Sequence, residues 1–433
     1  MYFGVQVEEN CNYCSSKTDA LRDDETYQRL SSELNESQNK AICACLSSFH
    51  CNHKSTVDLI WGPPGTGKTK TLGTLLFALF KLNCRTLVCA PTNVAIKEVA
   101  SCVLSMVRES FDRNSDALFC NLGDMLLFGN HERLKVGAEI EEIYLDYRVK
   151  QLILCLTPPN GWKYCFASMI DLLENCVSHY QIFIENEMRK EQDQTDDNNF
   201  TREKDDSPSD SGVGIHKSFV EFVRERFLAI VSPLRECISI LCTHIAGSCI
   251  MEHNLKGLAR LIYSLSSFQA LLFENNIACE KLEELFSPPE SQHSSFESVV
   301  VSASEYSLHQ SKTECLSLLR TLKVSLGDLN LPDVVTEESI REFCLQSSLL
   351  IFSTASSSFK LHSVEMEPLD VLVIDEAAQL KECESIIPLL LSDINHAILV
   401  GDERQLPAMI ESSVRILKMT LLVPLVPTFS LML

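Results

Sequence analysis

The sequence is short of basic residues. Its 433 residues include 37 lysines and arginines against 59 aspartates and glutamates, which gives a formal net charge of −22 at pH 7. Because an acidic protein repels a polyanion, this balance excludes a protein that binds nucleic acid through a generally basic surface. A polynucleotide partner would require a local groove.

The N-terminus lacks a charged segment followed by an apolar segment, the pattern of a secretory signal. Secretion is therefore not expected, and the nineteen cysteines are interpreted as reduced thiols rather than as a disulfide framework. One alternative is a zinc site at the lone pair Cys11 and Cys14, which Cys43, Cys45, Cys51 and His53 follow. Tetrahedral structural zinc usually has two regularly spaced ligand pairs, and the second pair here is irregular.

The most informative segment is a glycine-rich turn: Gly62, Pro63, Pro64, Gly65, Thr66, Gly67, Lys68 and Thr69. An apolar run at 57–61 predicts a strand before it, and 71–80 predicts a helix after it. Strand, glycine-rich turn and helix form a P-loop, whose backbone N–H groups and helix N-terminus bind phosphate. Lys68 would contact the β- and γ-phosphates, and Thr69 would ligate Mg²⁺. The sequence therefore predicts a nucleoside triphosphate and Mg²⁺ as ligands.

A second motif, Val371–Gln379, is an apolar strand that ends in two carboxylates. Asp375 would hold the Mg²⁺ water shell, and Glu376 would orient and deprotonate the attacking water. A third motif, Gly401–Pro407, follows the next predicted strand and contains Gln405. We expect Gln405 to sense the γ-phosphate and relay its presence to a polynucleotide groove.

Short apolar strands separated by helices predict an α/β domain, a parallel sheet with helices on both faces. The predicted strands are 57–61, 86–90, 125–128, 349–353, 371–374 and 397–400. A helical insertion interrupts this rhythm, with predicted helices at 163–184, 216–245, 252–274 and 305–325. The resulting division is a polar N-terminal segment 1–30, a first half-domain 31–139, a helical insertion 140–335, a second half-domain 336–412 and an apolar tail 413–433. Within the insertion, the charged stretch 185–214 predicts a disordered acidic loop.

These motifs resemble those of superfamily 1 helicases, in particular the senataxin-like and nonsense-mediated-decay branch. The segments that carry the resemblance are Leu34–Gln38 (Q motif), Gly62–Thr69, Ala90–Ala95, Phe128–Asn130, Ser353–Ser356, Asp375–Gln379 and Gly401–Pro407. It covers roughly residues 30–135 and 345–412. The resemblance implies a RecA-like P-loop NTPase lobe that couples ATP hydrolysis, with Mg²⁺, to single-stranded RNA or DNA.

The resemblance also implies roles for single residues. Gln38 would select adenine through its amide. The nucleic-acid contacts would be Pro91, Thr92, Asn93, Ser353 and Thr354. The insertion would form an accessory prong, and its aromatic residues Tyr144, Tyr147, Trp162 and Tyr164 either stack on bases or, as is more usual at helical spacing, belong to the core. A nuclear location, or otherwise a cytoplasmic one, is expected by the same analogy.

Family helicases have two RecA-like lobes, and the second supplies arginines that neutralise the γ-phosphate. The stretch after Ser413 is too short for another lobe, so we expect a second motor lobe to act in trans. The alternative is a truncated chain that binds ATP, hydrolyses it weakly and serves as a binding module or decoy. A P-loop switch unrelated to helicases is disfavoured by Gly401–Pro407. The uncharged stretch 419–433 is shorter than the ~20 residues of a membrane span, so no membrane role is expected.

Overall fold

The computed structural model describes residues 2–4, 24–49, 55–113, 118–199, 217–274, 279–287, 303–332, 334–391, 394–402 and 404. Three sequence-based predictions fall outside these residues. They are the role of Gln405, the nature of the tail 413–433, and the zinc alternative at Cys11 and Cys14. All three stay predictions.

A seven-stranded sheet forms the centre of the α/β domain. Its strands are β1 (Tyr2–Gly4), β2 (Thr56–Trp61), β3 (Thr86–Ala90), β4 (Met125–Leu127), β5 (Leu350–Thr354), β6 (Val371–Ile374) and β7 (His396–Gly401). Their order across the sheet is β1-β2-β7-β6-β3-β5-β4. The pairs from β2 to β4 are parallel, and only β1 runs antiparallel, beside β2. The predicted parallel sheet is confirmed, and each predicted strand lies within one residue of its observed bounds.

Helices pack against the sheet and form the insertion. Those of the α/β domain are α1 (Glu25–Ser32), α2 (Glu36–Ser48), α3 (Lys68–Lys81), α4 (Asn93–Arg113) and α5 (His131–Leu134). The insertion contains α6 (Leu145–Leu156), α7 (Trp162–Asn199), α8 (Phe219–His244), α9 (Glu252–Leu272), α10 (Cys279–Phe286) and α11 (Ala303–Ser325). The chain returns to the sheet through α12 (Glu337–Ser347), and α13 (Glu382–Leu389) precedes β7. The fold is therefore the RecA-like α/β domain with a helical insertion.

The sheet has an apolar core on each face, and alternate residues of a strand belong to different cores because successive side chains point to opposite faces. On one face, Val88 and Phe352 pack with α3 and α4. On the other face, Leu87 and Ile351 join the insertion, whose core includes Trp162. The insertion therefore shares one continuous apolar core with the sheet.

Helix α7 corrects one prediction. The stretch 185–214 was expected to be a disordered loop, but α7 continues to Asn199. The prediction was therefore wrong for 185–199, and 200–214 lies outside the described residues. The first half of this stretch, 185–192, consists mostly of glutamate, glutamine, lysine and arginine, which favour helix even without apolar periodicity. The helix also bends at Asn175, whose φ of −118° and ψ of 18° are not helical.

Among the described residues, one helix, α8, is long and apolar enough to cross a membrane. Half of that apolar window is buried inside the protein. Phe227, Leu234 and Leu241 of α8 lie in the core shared with the sheet. This burial is typical of the central helix of a bundle.

Cysteines of the described chain are free thiols. Sixteen of the nineteen are described, and nine of these are buried. Within the same described ranges, no group of three or more histidine, cysteine or acidic side chains could hold a metal ion. The nine buried thiols contribute as small apolar side chains.

Arg148 of α6 connects the insertion to the sheet. Its side chain is 0% exposed. Nη1 donates to the Met125 carbonyl oxygen at 2.8 Å, and Nη2 donates to the carbonyl oxygens of Gly123 and His244 at 2.9 Å each. Nη1 also lies 3.3 Å from Ser348 Oγ. One guanidinium thus joins β4, the end of α8 and the residues before β5.

The protein is expected to lose stability as the pH falls below 6.5, and His244 is one cause. Burial and the nearby Arg148 lower the pKa of His244 from 6.5 to about 3. Between these values the unfolded chain binds a proton that the folded chain does not, so the contribution of neutral His244 is complete above pH 6.5 and is lost on acidification. The free energy of unfolding falls by at most about 1.4 kcal/mol per pH unit from this group.

Urea unfolding at pH 7 and pH 5 measures this effect. The loss of stability between the two pH values should be smaller in His244→Gln than in the wild type. His309→Gln, at an exposed position of α11, is the matched control and should leave the loss unchanged. Equal pH dependence of His244→Gln and wild type would contradict the prediction.

Candidate nucleotide and nucleic-acid site

The P-loop joins β2 to α3 in the geometry of a phosphate cradle. Gly65 and Gly67 have φ values of +75° and +79°, a left-handed conformation that glycine adopts readily. Gly67 is the N-cap of α3 and provides no side-chain cap, so the first N–H groups of the helix can face an anion. A Cβ at Gly62 would lie 2.7 Å from Thr66 Oγ1. A larger residue at Gly62 would therefore displace the Thr66 hydroxyl, which donates to the Pro63 carbonyl oxygen.

Lys68 reaches back over this loop. Its Nζ donates to the Gly62 carbonyl oxygen at 2.8 Å and to that of Pro63 at 3.5 Å. The Thr66 hydroxyl donates to the same Pro63 carbonyl at 2.7 Å. Thr69, in the first turn of α3, is exposed. The ammonium is thus held by carbonyl oxygens that phosphate oxygens can replace as acceptors.

Asp375 follows β6 directly, and its backbone N–H donates to the Cys89 carbonyl oxygen at 2.8 Å. Its side chain is 6% exposed. Burial raises the pKa of Asp375 to about 6; Glu376 and Glu98 also raise it, whereas the ammonium of Lys68 lowers it. The P-loop lysine and the carboxylate of the second motif are therefore close enough to interact electrostatically.

Glu376 has a backbone conformation that is rare outside glycine. Its φ of 48° and ψ of 41° are left-handed, and such strain is most often found at functional sites. Gln379 Nε2 donates to Glu376 Oε2 at 3.1 Å. The sequence motif included Gln379 but did not reveal this contact, which fixes the orientation of the carboxylate.

Strand β7 lies between β2 and β6 and brings the motifs together. The Gly62 N–H donates to the Gly401 carbonyl oxygen at 3.4 Å. A Cβ at Gly401 would lie 3.2 Å from Ala377 N and 3.3 Å from Ala378 N. The P-loop and the second motif therefore flank the end of β7 on its two sides.

Gln38 of α2 lies against the P-loop. Its Nε2 donates to the Thr66 carbonyl oxygen at 3.0 Å. Its Oε1 accepts from the Asn35 backbone N–H at 2.9 Å, as part of the capping box that begins α2. A primary amide has two donor hydrogens and two acceptor lone pairs, so one of each remains for a ligand.

Comparisons with known proteins agree with this geometry. The sequence profile of a family described as AAA domain matches residues 33–413, most of the chain. A regulator of nonsense transcripts 1 homolog from Neurospora crassa is 47% identical over 68 residues, and the probable helicase senataxin from Homo sapiens is 31% identical over 134 residues. The ATP-dependent helicase NAM7 from Saccharomyces cerevisiae is 43% identical over 70 residues. The chain belongs to this AAA-domain family, in the superfamily 1 helicases.

These alignments are local. They cover 16%, 27% and 16% of the helicase chain, in the order just given, and only 6%, 5% and 6% of the relatives' own lengths. The family assignment therefore concerns the motor lobe.

The turn after β3 is accessible in the helicase lobe. Thr92 is exposed, while Pro91 and Asn93 are partly exposed. The Thr92 hydroxyl oxygen accepts the Ala95 N–H at 3.2 Å and so begins α4. This turn lies at the carboxyl edge of the sheet, where the nucleotide site also lies.

The hydroxyl groups of Ser353 and Thr354 require a correction, while contacts through the backbone of these residues stay a prediction. They are 0% and 6% exposed, and their hydroxyls are used inside the lobe. Ser353 Oγ donates to the Thr354 carbonyl oxygen at 3.2 Å, and Thr354 Oγ1 lies 2.8 Å from Ser357 Oγ. Both residues still belong to β5, which is covered on both faces, so their side chains cannot reach a nucleic acid. The neighbouring residue Phe359, 58% exposed, is at the surface instead.

The four aromatic residues of the insertion divide between core and surface. Trp162 and Tyr144 are 1% and 3% exposed, which supports the core alternative for both. Tyr147 is partly buried, 5.9 Å from the ring of His244. Tyr164 is 57% exposed, so it alone among the four has a face open for stacking.

Proposed function

We propose that this helicase lobe binds ATP and Mg²⁺ and hydrolyses ATP in response to single-stranded RNA or DNA. The observation that carries the proposal is the placement of Lys68 and Asp375–Glu376 on the two sides of Gly401. A phosphate cradle and a carboxylate pair at one sheet edge are the components that phosphoryl transfer to water requires.

The residues present fit the nucleotide and its metal. The N–H groups of the P-loop and Lys68 would hold the β- and γ-phosphates. Thr69 and Asp375 offer hard oxygen ligands of the kind that Mg²⁺ prefers, and the cation would neutralise charge on the phosphate oxygens. Glu376, oriented by Gln379, would accept a proton from the attacking water.

Adenine recognition is the proposed role of Gln38. Its contact with Thr66 places the amide beside the P-loop, and its free donor and acceptor match the two polar groups on an adenine edge. Gln405, in the third motif, would relay the state of the γ-phosphate to the nucleic acid.

The nucleic-acid strand would cross the carboxyl ends of β3 and β5. These strands are neighbours, and the Ala355 N–H donates to the Ala90 carbonyl oxygen at 2.9 Å, so their turns lie side by side. Pro91, Thr92 and Asn93 would contact phosphates. Phe359 offers an aromatic face on which a base can stack.

A working motor needs a second RecA-like lobe, whose arginines neutralise the transition state and are worth about 10³–10⁵ in rate. We propose that a second lobe closes on this site, from another part of the protein or in trans. A nuclear location is likewise a proposal, drawn from the family alone.

The test is steady-state ATP hydrolysis by residues 1–433, with and without single-stranded RNA. Hydrolysis will be slow without the arginines of a second lobe, but it should still rise with RNA concentration, and the rise should be absent in Lys68→Ala, which sets the background. Rates equal to this background, together with Mg²⁺-dependent ATP binding by the wild type, would contradict the proposal. They would instead identify an ATP-binding module without motor activity.

A further inference from the structure

A cavity of about 530 Å³ lies where the insertion meets the helicase lobe. Four segments line it and leave one side open to solvent: the turn after β4, the start of α6, helix α12, and the 3₁₀ helix Ser357–Ser363. Leu145 and Leu345, which are buried, form part of its apolar wall. The volume is sufficient for a nucleobase with its sugar.

The walls of this cavity are held by an ion pair between insertion and lobe. Arg341 Nη1 donates to Asp146 Oδ1 at 2.6 Å, and Arg341 Nη2 donates to Glu337 Oε1 at 3.1 Å. The Tyr144 hydroxyl donates to Asp146 Oδ2 at 2.6 Å. The charge of Arg341 is therefore already neutralised, and the cavity is preformed.

The rim carries groups that are open to a ligand. Glu338, Glu342 and Lys360 line the cavity and are exposed, and none forms an ion pair with another residue in the described ranges. Asn130 Oδ1 accepts the Arg133 N–H at 3.1 Å, and its amide nitrogen keeps two hydrogens that can donate to a ligand. Because the rim has two carboxylates and one lysine, it favours a neutral ligand that donates hydrogen bonds over a free phosphate.

The cavity opens beside the surface on which we place the nucleic acid. The Phe128 N–H donates to the Phe352 carbonyl oxygen at 3.0 Å, so the turn after β4 lies next to the turn after β5. Lys360 directly follows the exposed Phe359. A single strand that crosses Phe359 passes the mouth of the cavity.

We propose that this cavity accepts one nucleobase turned out of the bound single strand, and that it favours bases with an exocyclic amino group. The proposal rests on the proposed function, since it requires a nucleic acid on this face. The base would lie against Leu145 and Leu345, and Lys360 would hold the adjoining phosphate. Ionised Glu338 and Glu342 only accept hydrogen bonds, so they pair with the amino group of cytosine or adenine. Uracil has no such group and offers only its single N3–H, so it forms one hydrogen bond fewer with the two carboxylates.

The test compares fluorescein-labelled oligo(rC) and oligo(rU) of equal length in binding to residues 1–433, by fluorescence anisotropy. The wild type should bind oligo(rC) about tenfold more tightly, the effect of one hydrogen bond to a charged acceptor. In the double variant Glu338→Ala, Glu342→Ala the ratio of the two affinities should fall to about one. A general gain in affinity from the lost negative charge affects both oligonucleotides and cancels in this ratio.

Glu365→Ala, an exposed carboxylate near the cavity that does not line it, is the matched control and should keep the wild-type ratio. Both substituted glutamates are exposed on α12, so thermal unfolding should show an unchanged fold. Equal affinities in the wild type, or an unchanged ratio in the double variant, would overturn the cavity proposal and leave nucleic-acid binding intact. Absence of binding to both oligonucleotides would overturn the proposed function as well.

Discussion

Replacing Glu376 by glutamine is expected to lower RNA-stimulated ATP hydrolysis by about 10²–10⁴, the usual contribution of a general base. Glutamine has nearly the same shape, so the hydrogen bond from Gln379 can be exchanged for its amide equivalent and the fold should be unaffected. What is lost is the ability to take a proton from water. ATP binding should remain, because Lys68 and the P-loop N–H groups are untouched.

Two measurements separate chemistry from binding in this variant: the hydrolysis rate at saturating RNA, and the affinity for Mg²⁺-ATP by equilibrium titration. Glu382→Gln, an exposed carboxylate at the start of α13, is the matched control and should hydrolyse ATP at the wild-type rate. A Glu376→Gln rate within about threefold of the wild type would show that another group acts as the base, since such a change is far below the range for general base catalysis.

Replacing Arg148 by alanine is expected to reduce the free energy of unfolding by about 3–5 kcal/mol. The substitution leaves the carbonyl oxygens of Gly123, Met125 and His244 without their donor in a site that water does not reach. It also leaves an empty volume in the core. Because these carbonyls belong to both the sheet and the insertion, the two parts should separate more easily.

Urea unfolding followed by tryptophan fluorescence is a direct readout, since Trp162 lies in the shared core. Arg148→Lys keeps a cation but cannot reach all three carbonyls at once, so it should fall between alanine and the wild type. Lys150→Ala, on the exposed side of the same helix, should change stability by less than about 0.5 kcal/mol. An Arg148→Ala variant as stable as Lys150→Ala would refute the assigned role.

Much of the α/β domain could be predicted from the sequence because its signals are local. The apolar runs that became β3 and β6 are continuous, that of β2 is interrupted only by Asp58, and each ends in a turn of distinctive composition. Parallel strands present their carboxyl ends at one edge of a sheet, so the proximity of the P-loop and Asp375 followed from the two strand ends. The helical insertion could be predicted equally well, because the spacing of apolar residues changes there from that of strands to that of helices.

Features that depend on distant contacts could not be predicted. Helix α1 has a polar sequence, and it is stabilised by ion pairs such as Lys81–Asp24 at 3.1 Å, which join residues far apart in the chain. The burial of Ser353 cannot be predicted from the local sequence, because serine is common both within and after a strand. Arg148 looks like any surface arginine on an amphipathic helix, since arginine is rarely buried. The cavity likewise exists only where four separate segments meet.

The strand order determines when the parallel sheet can be completed during synthesis. Strand β7 separates β2 from the rest of the parallel sheet, yet it comes last in chain order among the seven described strands. The ribosome adds roughly 5–20 residues per second, so β2 is synthesised on the order of tens of seconds before β7, its parallel neighbour. During that interval its apolar edge is open to pairing with other chains. We therefore expect the nascent chain to depend on chaperones until β7 emerges, and ATP to stabilise the fold only after that moment.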